Sequence, residues 1–132
     1  MKCLTVKQPW AFAIFLGKTV ENRSWPTRYR GPLLIHAGTR PDGGGLRRIH
    51  EIAGDWIVPD NLNHPDYSWS AIIGRVDLVA CQRDTGLQWG EPGMYHWVLS
   101  DSWLFDKPIP WTGRQGLFNV PDSFMEAQYA QC

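Results

Sequence analysis

Apolar positions in this chain fall in short alternating or continuous runs, broken by glycine and proline, with few long helical stripes. "CLTV" predicts a first strand, and "QPWAFAIFLG", apolar almost throughout, predicts a buried helix. Proline suits the first turn of that helix, alanines fill it, and Gly17 suits its C-terminal cap. "TVENRS" predicts a strand and "TRYRG" a basic turn. "PLLIHAG" carries apolar residues on both faces and predicts a central strand. After the break at "RPDGGG", Leu46, Ile49, Ile52 and Ala53 recur at helical spacing. "VPDNLNHPDYSW" is a loop. "SAIIGRVDLVACQRD" is a long strand in which Gly74 marks a bulge or bend. "TGLQWGEPG" is a loop, "MYHWVLSDSWLF" a strand or strand pair, "DKPIPWTGRQG" an extended segment with turns, and "LFNV" a closing strand. Five to seven strands and two or three helices predict an α+β fold, a small and mostly antiparallel β-barrel with helices packed on it.

Length changes this picture little: 132 residues suit one domain, expected to span 1–132. The 43% hydrophobic fraction suits a globular chain. Eight tryptophans are many for this length, and large aromatics serve cores and binding surfaces alike. Cys3, Cys81 and Cys132 are odd in number and widely spaced, so reduced thiols and a cytoplasmic setting are expected. The apolar run Trp10 to Leu16 is far too short to span a membrane.

Charge changes it more. The total is zero, yet Met1 to Arg48 holds nine basic and two acidic residues, a charge of +7, and the remainder carries −7. The two halves either neutralise each other across the fold or leave a basic face for phosphate groups.

The stretch "GKTVENRSWPTRYRG", Gly17 to Gly31, concentrates the candidate chemistry. On a strand, Glu21 and Arg23 share a face. Lys18 lies on the opposite face if the strand starts there. If it is still in the turn, it can swing toward Glu21 and pair with it. A lysine among other cations loses its proton more readily and can act as base or nucleophile, and a nearby glutamate opposes that shift. An exposed Lys–Glu pair of no functional weight is the competing reading. Trp25, Arg28, Tyr29 and Arg30 interleave rings with guanidinium groups, the chemistry that grips phosphate and stacks bases in single-stranded RNA. Trp10 joins these substrate-binding candidates. His36 alternates with Leu34 and faces either a pocket or the interior as a satisfied histidine. In "GRQG", Arg114 and Gln115 lie between two glycines that let backbone approach a ligand, or form an ordinary turn. The four histidines lack metal-ligand spacing, no dinucleotide or phosphate-loop motif occurs, and no cofactor is implied.

"QPWA", "GKTVENRSW" and "YRGPLLIHAG" resemble the N-terminal half of the ASCH domain family. The family's Gly-x-Lys-x-x-Glu-x-Arg string is matched by Gly17, Lys18, Glu21 and Arg23, with one residue fewer between glycine and lysine. "AIIGRVDLVAC", "YHWVL" and "PIPWTGRQGLF" resemble later parts of it. The resemblance implies a PUA-like barrel that binds RNA, or acts on it, through a cleft holding these residues. Some members remove the acyl group of 4-acetylcytidine, others are assigned ribonuclease activity, and others are domains of transcriptional coactivators. The amidohydrolases have threonine where this chain has Glu21, and they use a later glutamate, to which Glu91 is comparable in position.

An RNA- or nucleotide-binding domain with a Lys/Glu/Arg cleft is therefore expected, with hydrolysis of an acylated cytidine or of RNA as a sharper form. Lys18 would be its base or nucleophile, and Glu21 or Glu91 its proton shuttle. A non-catalytic RNA-binding module, or one that meets a protein partner, is the alternative.

Overall fold

A computed structural model describes residues 1–123. Cys132 and the end of the expected 1–132 domain lie outside them. β1 (Lys2–Gln8) leads into α1 (Trp10–Ile14), followed by β2 (Val20–Arg23), β3 (Gly31–Pro41), α2 (Gly45–Ala53), β4 (Ala71–Gln82), β5 (Tyr95–Pro110) and β6 (Leu117–Asn119). All six strands join one mixed sheet in the order β2-β5-β4-β3-β1-β6. Four of the five pairings are antiparallel, and β1 with β3 is parallel.

Among the described residues the strands form an open sheet, without the closure that the expected barrel requires. β2 and β6 are its two edges, and among the described residues no ladder joins them. The physical reason is length and position. β6 has three residues and pairs only with Lys2 to Leu4, so "LFNV" borders the sheet rather than closing it. β2 has four residues and pairs only with Tyr95 to Val98. The C-terminal half of β1 therefore runs on beyond β6, and the Arg23 guanidinium reaches it by donating to the Thr5 carbonyl at 2.6 Å. A side chain bridges where a barrel would have a backbone seam.

Helix α1 is shorter than its apolar run, because Phe15 already serves as its C-cap. The buried Gln8 side chain ties its start to the rest of the fold. Its carbonyl accepts from Phe12 N at 2.9 Å and its amide donates to the Ser68 carbonyl at 3.0 Å. "PLLIHAG" is interior as expected, with Leu33 to Ala37 all buried. "MYHWVLSDSWLF" and the following "DKPIP" are one strand, whose pairing with β4 slips register three times. Gly74 lies at one of these slips: a side chain there would sit 2.5 Å from the Phe15 ring and 2.6 Å from the Trp103 carbonyl. The main core gathers Leu4, Leu33, Ile35, Val76, Leu78 and Trp97 between sheet and α1. A second cluster, including Phe12, Ile49, Val58 and Trp89, seats α2 and the loops. No helix among the described residues is long and apolar enough to cross a membrane.

Candidate nucleotide-binding site

The cavity of interest lies where the sheet fails to close. It measures about 700 Å³, within the range typical of small-molecule sites. β1 contributes Thr5, Val6 and Lys7 to its wall, β2 contributes Glu21, Asn22 and Arg23, and the loop before β6 contributes Arg114, Gln115 and Gly116.

Lys18 is only 1% exposed. The strand begins at Val20, so Lys18 is still in the turn, where its backbone N donates to the Ala13 carbonyl at 3.0 Å. That placement lets its side chain swing back toward β2. Its Nζ donates to the Val20 carbonyl and to Glu21 Oε1 at 3.1 Å, and it lies 5.2 Å from the centre of the Trp10 ring. Glu21 and Arg23 share one face of β2, and Glu21 Oε2 pairs with Arg23 Nη2 at 3.1 Å. Two cations thus flank one carboxylate that is itself 7% exposed. Burying a charge is costly, and this mutual hydrogen bonding offsets the cost. Arg23 Nε is a buried donor with no partner among the described residues.

The cavity's rings are held by polar handles. Trp10 Nε1 donates to Asp42 Oδ2 at 2.7 Å. Trp25 meets Trp97 edge-on at 4.8 Å between ring centres, and its carbonyl accepts from Trp97 Nε1 at 3.2 Å. Asn22 fixes the opposite rim, donating to the Trp89 carbonyl and accepting from Glu91 N, both at 2.9 Å. Glu91 lines the cavity, but its carboxylate is occupied by Arg48, with contacts of 2.8 and 3.1 Å, and Arg48 also meets Glu51 at 3.3 Å. These partners push the Arg48 pKa upward, the hydrogen bond that Arg48 donates to Glu91 first among them. Lys7 and Arg114 are exposed at the rim and have no ion pair among the described residues.

Of the residues singled out in the sequence, the fold gathers Trp10, Lys18, Glu21, Arg23, Trp25, Glu91, Arg114 and Gln115 around this cavity. Arg28, Tyr29, Arg30 and His36 are not in its wall. Arg28 is exposed. Arg30 folds onto its own loop, donating to the carbonyls of Thr27 and Tyr29 at 2.9 and 2.8 Å. The Tyr29 hydroxyl donates to the Pro32 carbonyl, and desolvation, helped by Asp77, raises its pKa. Buried His36 spans from Thr5 Oγ1 at 3.2 Å to the Trp111 carbonyl at 2.6 Å. Desolvation lowers its pKa, against the opposing effect of the Trp111 bond. In the neutral ring, Nε2 donates to Trp111 and Nδ1 accepts from Thr5.

Spacing gave no sign of Thr5, Lys7, Asn22, Asp42 or Arg48. They come from several distant parts of the chain, and only Asn22 lay inside the stretch already suspect. The eight tryptophans are divided among roles: Trp89 and Trp97 are buried, Trp56 and Trp103 are exposed, and four are half-buried. No cluster of three or more His, Cys, Asp or Glu side chains gathers for a metal ion among the described residues.

The class so defined is a small α+β domain with an open, mostly antiparallel sheet and a cationic, tryptophan-walled cavity at its unclosed side. The ASCH domain family model matches residues 4–110, and the chain belongs to that family. It is also similar to activating signal cointegrator 1 of Mus musculus, 37% identical over 84 residues, and to that of Homo sapiens, 35% identical over 83. Each match covers 60% of this chain and 14% of the relative.

Proposed function

We propose that the cavity binds a nucleotide or a single-stranded RNA segment, with the base against Trp10 and Trp25 and phosphate at Lys7 and Arg114. The observation that carries this reading is the convergence on one hollow of two indole rings, a largely buried Lys18–Glu21–Arg23 group and two rim cations with no ion pair among the described residues. Rings supply stacking to any base, side-chain donors and acceptors meet its edge, and cations hold the backbone. A ligand acceptor would also relieve the lone Arg23 Nε. The kinship with ASCH domains supports the same reading.

Titrating salt against binding of a labelled ten-nucleotide RNA tests it. Affinity should fall steeply, and the Lys7→Ala/Arg114→Ala double variant should lower the slope of log K against log salt by about 1.4, since each phosphate contact on a single strand contributes about 0.7. Arg28→Ala with Arg30→Ala, outside the cavity wall, should change it less. Salt-insensitive binding, or none, removes the reading.

A second reading, hydrolysis of an acylated cytidine or of RNA, is favoured by the 3.1 Å Lys18–Glu21 contact inside a ligand-sized cavity. For the acylated base, Glu21 takes a proton from the attacking water and Lys18 donates to the oxyanion. The acyl C–N bond then breaks, and the departing amino group receives the proton. Acetate release from 4-acetylcytidine should be detectable and should vanish in Lys18→Ala. No release, or equal release by the variant, rejects it.

A further inference from the structure

The cavity does not end at Arg114. A second hollow of about 520 Å³, lined by Ser70, Pro110, Trp111, Thr112 and Arg114, adjoins it. Arg114 alone belongs to both linings. It is exposed, with no hydrogen bond or ion pair among the described residues.

The loop that carries Arg114 is pinned from beneath. The Trp111 backbone donates to the Ser70 carbonyl at 3.1 Å, and the Trp111 carbonyl lies 2.6 Å from His36 Nε2. Gly113 packs so closely that a side chain there would sit 2.7 Å from the His36 ring and 2.9 Å from Thr5 Oγ1. A guanidinium without a partner among the described residues is therefore carried on a fixed support at the junction of two hollows. Guanidinium groups grip phosphate oxygens through paired donors. Pro110 and half-buried Trp111 line the second hollow with Thr112 and with Ser70, whose hydroxyl donates to the Trp111 carbonyl at 3.4 Å, residue types suited to a base and its sugar.

Resting on the nucleotide reading above, we infer that the site takes two consecutive nucleotides of a single strand. One base occupies the first cavity, the linking phosphodiester lies on Arg114, and the second nucleoside lies against Pro110 and Trp111. The preferred ligand class is a phosphodiester-linked strand, bound more tightly than a mononucleotide.

Calorimetric titration of the whole chain with cytidine 5′-monophosphate and with cytidylyl-(3′→5′)-cytidine tests this, repeated with the adenosine pair. The mononucleotide carries the greater charge, so charge alone favours it. An occupied second hollow reverses that order, and the dinucleotide should bind at least about tenfold tighter, within the range that one stacked base contributes. In Arg114→Ala that advantage should shrink to about threefold or less, with Arg114→Lys between. A mononucleotide that binds as tightly as the dinucleotide overturns this inference and leaves the nucleotide reading standing. So does an advantage undiminished in Arg114→Ala. Failure of every ligand to bind, the ten-nucleotide RNA included, overturns both.

Discussion

Glu21→Ala should destabilise the domain by about 3–5 kcal/mol, the cost of removing one partner from a buried ion pair. Lys18 is 1% exposed, and Glu21 is the one carboxylate it meets among the described residues. Arg23 meets the same carboxylate from the other side. Removing it leaves two cations in poorly solvated surroundings with only backbone carbonyls to receive them. Lys18→Met should cost less, because Glu21 keeps Arg23 and the new side chain fills much of the same space. Lys18→Met added to Glu21→Ala should recover part of the loss, since the buried charge is then gone. Urea melts at neutral pH give these values directly. The thermal midpoint of Glu21→Ala should fall by about 10 °C or more. A loss for Glu21→Ala no larger than that for Lys18→Met would show that the triad is less tightly coupled than its geometry requires.

Trp10→Ala should weaken binding of a short single-stranded RNA by about five- to 160-fold, the 1–3 kcal/mol that one stacked base contributes. Trp10 is half-buried, lines the cavity and is steadied by Asp42, so its ring presents a fixed platform. Trp10→Phe should keep most of the affinity, because a flat face remains although the Asp42 bond is lost. Fluorescence anisotropy with a labelled oligonucleotide measures both. A Trp10→Ala variant that folds and binds within threefold of the unaltered protein would place the base elsewhere. Trp56→Ala makes the useful comparison, since that exposed tryptophan contacts His50 and takes no part in the cavity wall.

Much of this site was legible in one short stretch. Gly17 to Arg23 announced a turn followed by a strand, and strand alternation put Glu21 and Arg23 on one face. Whether Lys18 joined them was open, because the answer depends on where the strand starts. The structure starts it at Val20, and only then can the lysine turn inward. Arg28 and Arg30 looked equivalent to Arg23 by composition, yet their loop leads away from the cavity. His36 read equally well as a pocket or core residue; its bond to the Trp111 carbonyl makes it a support for the loop bearing Arg114.

From sequence alone came the order of strands and helices, the interior position of "PLLIHAG", the uneven charge and the kinship with ASCH domains. These follow from local periodicity and contiguous motifs, which the chain carries wherever it folds. Closure of the sheet, the meeting of Lys7 and Asp42 with the Lys18–Glu21–Arg23 group, and the second hollow beyond Arg114 were decided only in three dimensions. Each depends on which distant strands lie side by side and how far they overlap. That is a property of long-range pairing and register, and no window of neighbouring residues encodes it.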